Sequence, residues 1–259
     1  MSARSKLRAL ALLLRGDSDT RWMAAERLAR LAHPDAVLGE HHKRWRTDPE
    51  FLASIRSIGV GDRQWDRLYA IDQFAGRCAT LPGDFAECGT YTGSSAYFLC
   101  ARARGEVHLF DSWEGLSAPA PVDGEYWTQG DLRSSLEDAR RVLGRFDNAV
   151  FHQGWIPERF PEVADRRFSL VHIDVDIYRP TLDALGFFWD RVTPGGMVVC
   201  DDYGFSTCPG ATAAMDEFFE GRGSVMQLPT GQGLVIRKRE TGGVSRSLLG
   251  FCSDSDRLE

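Results

Sequence analysis

Hydrophobic and polar positions follow two rhythms in this sequence, and the change falls near residue 81. Before it, apolar residues recur at helical spacing. Leu7, Leu10, Ala11 and Leu14 share one face of a short amphipathic helix. Asp48-Pro49 ahead of another periodic run predicts a helix with proline in its first turn, closed by Gly59. Trp65, Leu68, Tyr69, Ile71 and Phe74 predict a further helix within 62–78, and no strand-like alternation precedes Leu81.

From Pro82 onward short apolar runs alternate with helical stretches. Strands are expected at 85–88, 107–110, 149–152, 169–173, 197–200, 225–228 and 234–237. Helices are expected near 94–103, 132–143, 179–192 and 211–220. Such alternation predicts an α/β, Rossmann-like fold with a parallel sheet covered on both faces. The segment Pro229-Thr230-Gly231-Gln232-Gly233 is too short for a crossover helix, so the last two strands must form an antiparallel hairpin. The expected organisation is a helical segment over 1–80, a seven-stranded core over 81–240 and a polar tail over 241–259. In that tail only Leu248, Leu249 and Phe251 have apolar weight.

Composition narrows the classes. With 259 residues, 43% hydrophobic and 26% charged, the chain can bury a core without disulfides or a structural metal. A net charge of −6 argues against a broad nucleic-acid footprint. Six cysteines lack CxxC spacing and several sit in apolar runs, which suits a reducing cytoplasm. The run Ala9 to Leu14 is followed by Arg15 without a small-residue cleavage site, so an amphipathic helix is expected rather than a signal peptide. No stretch approaches the roughly 20 apolar residues that span a bilayer.

The first strand runs into a glycine turn: Glu87-Cys88-Gly89-Thr90-Tyr91-Thr92-Gly93-Ser94-Ser95. Gly89 and Gly93 allow a tight turn and close approach of a ligand beyond the strand ends. Glu87 would repel a pyrophosphate and suits a ligand with a positive end, such as a methionine ammonium. Asp111 ends the second strand, 24 residues after Glu87, where an acid binds a ribose diol. A ribose acid without a phosphate site points to an adenosyl sulfonium.

Two nearly wholly apolar strands then each end in a carboxylate pair, Asp174-Val175-Asp176 and Asp201-Asp202. Adjacent parallel strands bring these ends to about 5 Å. Four carboxylates at that spacing repel unless a cation joins them, and oxygen donors select a hard ion, Mg²⁺ first. The alternative is that these aspartates cap the following helices. His172 reads as a core histidine, His41-His42 and His108 belong to no constellation, and His152 and Trp155 close the third strand near the expected adenine region.

The stretches Pro82 to Gly89, Phe110 to Leu116, His172 to Tyr178, and Pro194-Gly195-Gly196 through Asp201-Asp202-Tyr203 resemble the macrocin-type O-methyltransferases. These methylate sugar hydroxyls on bacterial natural products. The likeness covers roughly residues 60–240 in unbroken motif order. It implies the class I methyltransferase sheet, with S-adenosylmethionine as cofactor against Glu87, Gly89, Ser94, Asp111 and Ser112; Tyr91, Gly93, Ser95, Trp155 and Asp174 are further candidates for the cofactor site. It implies Mg²⁺ on Asp174, Asp201 and Asp202, and Asp176 as the general base. It also implies a small-molecule acceptor and N-terminal helices that form a substrate lid and a homodimer contact. Val175, where the family tends to a small residue, and Tyr91-Thr92-Gly93-Ser94, where it usually carries Trp-Arg-Gly-Gly, are departures.

Rival readings are a catechol-type methyltransferase, a metal-dependent glycosyltransferase using Asp174 and Asp176 as DxD, and a binding protein that keeps the fold. No Lys lies between Lys43 and Lys238, which removes the lysine base a phenol methyltransferase commonly uses. The aromatic loop 117–130 is long enough to serve as a cover for the acceptor.

Overall fold

Backbone amides at helix starts need partners, and at some helices of this chain side chains supply them. A computed structural model describes residues 11–36, 39, 42–59 and 64–238. Asp17 accepts from the Thr20 amide at the start of α1 (Ser18–Ala32), and Asp48 from the Phe51 amide at the start of α2 (Pro49–Ile58). Gly59 ends α2 in the left-handed conformation, as its position after the periodic run predicts. Residues 11–15 are helical; the rest of the expected N-terminal helix and the tail beyond residue 238 lie outside the described residues. The chain divides into two compact units, Met1–Trp65 and Asp66–Glu259.

The second unit holds most of α3 (Trp65–Cys78) and the whole sheet. Helix α3 buries Leu68, Ile71, Ala75 and Cys78 on one face. Its buried Asp72 pairs with Arg102 through two bonds, 2.7 and 2.9 Å, at the last residue of α4 (Ser94–Arg102). Seven strands follow: β1 (Asp84–Cys88), β2 (Val107–Asp111), β3 (Ala149–Gln153), β4 (Phe168–Ile173), β5 (Val192–Cys200), β6 (Met226–Gln227) and β7 (Gly233–Ile236). Their order in the sheet is β3-β2-β1-β4-β5-β7-β6. The pairs within β3, β2, β1, β4 and β5 are parallel, whereas β7 runs antiparallel to both β5 and β6. The order reverses between β1 and β4, which opens a crevice at their carboxyl ends.

Boundaries moved where the local backbone overruled the apolar pattern. The helix expected from residue 132 is α5 (Leu136–Leu143). Leu132 adopts φ +60°, outside the helical region, and Ser135 caps the helix by accepting from the Asp138 amide. Helix α6 (Tyr178–Phe188) stops short of the expected residue 192 and passes into a tight turn, Trp189–Arg191. Strand β5 starts at Val192, earlier than expected, because Val192 pairs with Phe168 across an irregularity in the ladder. Helix α7 (Pro209–Phe219) carries its proline in the first turn.

Every residue of β4 is buried. Phe188 lies fully buried beneath it, with ring centroids 4.9 Å from Phe160, 5.1 Å from Phe168 and 5.8 Å from Phe110. Truncation there removes a close-packed aromatic and leaves a void the β4 backbone cannot fill. Phe188→Ala should lower the unfolding free energy by about 3–5 kcal/mol, read from urea denaturation. A loss below about 1 kcal/mol would show that the site collapses.

Candidate active site at the carboxyl ends of the strands

Backbone hydrogen bonds carry the sheet one residue past its strands and so set the aspartates side by side. The Gly89 amide donates to Phe110 O, Asp174 to Cys88 O and Asp201 to Ile173 O, each at 2.8 Å. Gly89 has φ +87°, and a Cβ there would overlap the Asp174 carbonyl, so only glycine admits this approach of β1 to β4. Gly93, at φ +89°, starts α4.

Carboxylate oxygens of Asp174, Asp201 and Asp202 lie within 4.8 Å of one another. Burial, and then the charges of Asp201 and Asp202, push the Asp174 carboxyl well above its usual range. Burial, followed by the charges of Asp176 and Asp201, does the same to Asp202. Asp201 moves the opposite way. Burial opposes its ionisation, but the His172 hydrogen bond and the Arg67 charge outweigh it and hold the carboxyl low. Repulsion that raises two of three clustered carboxyls is relieved by a cation. The all-oxygen donor set fits a hard divalent ion, which leaves coordination positions for water or an acceptor. None of these aspartates caps a helix: the first amide of α6, Tyr178 N, is bonded by Asp123 Oδ1 at 2.6 Å, and α7 begins without a side-chain cap.

Asp176 is not one of that trio, but its carboxylate groups with Asp202 and the Cys208 thiol, one ligand atom of each within 4.8 Å of the others. Its backbone is left-handed, φ +61°, held there by its amide donating to Asp202 Oδ2 at 2.9 Å. The carboxyl is partly buried and faces the Cys208 thiol at 3.8 Å. Burial and the charges of Asp174 and Asp201 push it up to about 7. A carboxyl at that value is a better base near neutral pH than an ordinary aspartate.

Asp111 braces the loops on either side of it. Its Oδ2 accepts from the Tyr91 amide at 2.7 Å and its Oδ1 from the Trp113 amide at 2.6 Å. Tyr91 and Trp113 are both left-handed, with φ of +50° and +58°, and Trp113 Nε1 closes the frame on Tyr91 O. Each carboxylate oxygen keeps a second lone pair for a hydroxyl donor. Ser112 accepts from the Glu114 amide. Ser94 and Ser95 lie in the first turn of α4 and Trp155, half-buried, follows β3.

Glu87 is wholly buried. Its Oε1 lies 3.0 Å from His172 Nδ1, while Oε2 has no hydrogen-bond partner among the described residues. Thr90 Oγ1 is likewise buried without one. Glu87 lies near the end of β1 and Thr90 in the loop that follows, and a ligand with donor groups would satisfy both orphans.

Five contributors were not singled out from the sequence. His172 bridges Glu87 and, at 3.5 Å, Asp201, and despite its burial those two acids push its pKa up to about 10. Arg67, from α3, ion-pairs with Asp201 Oδ2 and lies over the Phe205 ring. Gln232 donates to Asp201 Oδ1 at 2.7 Å. Cys208 and Thr90 complete the set. Gln232 had one available signal: the hairpin's start must lie beside the carboxyl end of β5, because β7 runs antiparallel to it.

The loop 117–130 is fastened at two points. Asp123, buried, accepts from Tyr178 N and from Ala120 N at 2.7 Å, and Trp127 Nε1 donates to Cys208 Sγ at 3.4 Å. Trp127 therefore stands beside the thiol that faces Asp176.

Comparisons with known proteins accord with this geometry. The family model for Macrocin-O-methyltransferase (TylF) matches residues 27–228. The 8-demethyl-8-(2,3-dimethoxy-alpha-L-rhamnosyl)-tetracenomycin-C 4'-O-methyltransferase of Streptomyces olivaceus is 33% identical, covering 62% of this chain and 69% of that protein. The mycinamicin III 3''-O-methyltransferase of Micromonospora griseorubida is 29% identical, covering 49% of this chain and 58% of that protein. Among solved structures, the calicheamicin methyltransferase CalS11 aligns with a TM-score of 0.56 at 18% identity, over 90% of this chain and 91% of that one. The O-methyltransferase NovP aligns with a TM-score of 0.56 at 21% identity, over 91% of this chain and 100% of that one. At those identities the structural likeness speaks for the fold. Among the described residues no helix is long and apolar enough to cross a membrane. The family match spans most of the chain and both sides of the switch point, and the protein is an enzyme of the macrocin O-methyltransferase family.

Proposed function

We propose that this enzyme transfers a methyl group from S-adenosylmethionine to a hydroxyl of a sugar on a natural product, with a divalent cation, Mg²⁺ first, held by Asp174, Asp201 and Asp202. The observation that carries the reading is the division of labour among four aspartates at two neighbouring strand ends. Three converge within 4.8 Å as an all-oxygen donor set, while the fourth, Asp176, has a left-handed backbone and lies against Asp202 and the Cys208 thiol. The names of the relatives support a glycosylated acceptor, since two of them act on sugar hydroxyls of antibiotics.

Glu87, Gly89, Tyr91, Gly93, Ser94, Ser95, Asp111, Ser112, Trp155 and Asp174 line the proposed cofactor region. Glu87 Oε2 and Thr90 Oγ1 accept from the ammonium end, and Asp111 accepts the ribose hydroxyls through its free lone pairs. S-adenosylmethionine supplies an electrophilic methyl carbon on a sulfonium. A cation on the three aspartates supplies polarisation that makes the acceptor hydroxyl more acidic.

The remaining chemistry falls to the chain. With the cofactor bound, the methyl group would pass to the acceptor oxygen, and Asp176 would take the proton that the hydroxyl gives up. Asp202 fixes the Asp176 backbone through its amide, and Cys208 and Trp127 wall the base against water. Opposite charges cancel along this path, so exclusion of water favours it. The absence of Lys between Lys43 and Lys238 supports an aspartate base and an alcohol acceptor.

Two outcomes check the reading. Asp176→Asn should reduce kcat/KM by about 10²–10⁴, while calorimetry shows S-adenosylmethionine binding intact; near-normal turnover would refute the base. Dialysis against EDTA should abolish +14 Da product formation on a panel of glycosylated natural products. Mg²⁺ should restore it in the native protein and fail in Asp202→Asn. Full activity in EDTA would sink the cation assignment.

A further inference from the structure

The amino ends of β1 and β2, the opposite edge of the sheet from the aspartates, hold a second group of metal-ligating side chains. Asp84 opens β1, Glu106 precedes β2, and His108 lies within β2. One ligand atom from each lies within 4.8 Å of the other two. His108 is 3% exposed, and its Nε2 has no hydrogen-bond partner among the described residues. That nitrogen points between two carboxylate oxygens, 3.6 Å from Asp84 Oδ2 and 3.7 Å from Glu106 Oε2.

Those separations are too long for hydrogen bonds. They suit two ligands of one ion: with metal–ligand bonds near 2.0–2.1 Å, a tetrahedron has edges of about 3.4 Å. The other ring nitrogen argues the same way. His108 Nδ1 lies 3.0 Å from His152 Nε2, and His152 Nδ1 lies 2.6 Å from Glu162 Oε2. With both imidazoles neutral, every proton is placed when Nδ1–H of His108 donates to His152 and Nδ1–H of His152 donates to Glu162. Nε2 of His108 is then a bare lone pair facing two carboxylates. Without a cation the lone pair and the carboxylates repel; with one they converge. A carboxylate–histidine chain behind a ligating imidazole is the usual outer support of a metal site.

The two carboxylates are also held in place. Asp84 Oδ1 accepts from the Glu106 amide at 3.1 Å, which turns Oδ2 towards His108. Arg166 bonds the same oxygens from outside, at 3.2 Å to Asp84 Oδ2 and 2.9 Å to Glu106 Oε2. One guanidinium against two carboxylates leaves a net negative charge.

The geometry points to a Zn²⁺ site formed by Asp84 Oδ2, Glu106 Oε2 and His108 Nε2, completed by water, that ties β1 to β2 at the amino edge of the sheet. Nitrogen with two carboxylate oxygens is a donor set that Zn²⁺ accepts and Mg²⁺ disfavours. The site needs neither the cofactor nor the aspartates at the carboxyl edge.

The test uses Asp174→Asn/Asp202→Asn protein, which leaves a single carboxylate of the carboxyl-edge trio and keeps the pairing of Asp201 with His172 and Arg67. Titration with Zn²⁺ against a chromophoric chelator should show one equivalent bound, and the thermal midpoint should rise with Zn²⁺ and not with Mg²⁺. Glu106→Gln in that background, an exposed change that leaves the fold intact, should weaken Zn²⁺ by about tenfold or more and abolish the thermal shift. His108→Gln should do the same. No bound equivalent at millimolar Zn²⁺, or equal affinity after Glu106→Gln, would overturn the assignment.

Discussion

His172 is a buried imidazole held between two acids, and the carboxyl edge of the sheet is arranged around it. Its two nitrogens reach Glu87 on β1 and Asp201 beyond β5, so one ring on β4 joins three strands at their carboxyl ends. A buried charge is tolerated only when it is paired and hydrogen-bonded. Here the two acids supply both, and they hold the ring charged well above its ordinary range. Removing the ring would leave Glu87 with no partner on either oxygen and would strip one donor from Asp201.

The same line explains why three adjacent aspartates differ so much. Asp201 receives donors from His172, Gln232 and Arg67 and stays ionised. Asp174 and Asp202 face it without equivalent compensation, and burial raises them. Positive charge beside such a site would relieve the repulsion that raises Asp174 and Asp202. Arg67 answers part of that demand from α3, within the same compact unit as the sheet.

Positive-φ residues mark where loops have been bent to serve the site. Tyr91 and Trp113 are locked by one carboxylate, Asp111, and Asp176 by another, Asp202. Left-handed backbone at a bulky residue persists only when its surroundings hold it. Asp123 adds a further constraint by satisfying the first amide of α6 from the loop 117–130. That loop, read from sequence as a candidate cover for the acceptor, is tied to two helix starts through Asp123 and Cys208.

What the residues alone determined was the fold and the location of the chemistry. Apolar runs of strand length, separated by helical periods, specify a parallel sheet, and the five-residue link before Gly233 specifies its antiparallel end. Acids placed directly after such runs must lie at one edge, so Glu87, Asp111, Asp174, Asp176, Asp201 and Asp202 were legible as a group. Only the tertiary structure decided the rest. Arg67 meets Asp201 across 134 residues and His172 meets Glu87 across 85, distances over which no local pattern operates. Strand order makes Glu87, His172 and Asp201 neighbours, and it gives His108, which has no constellation in sequence, two carboxylates and a second imidazole. Hydrogen bonds and charges act over a few ångströms in space, and chain position sets that proximity only after the sheet has folded.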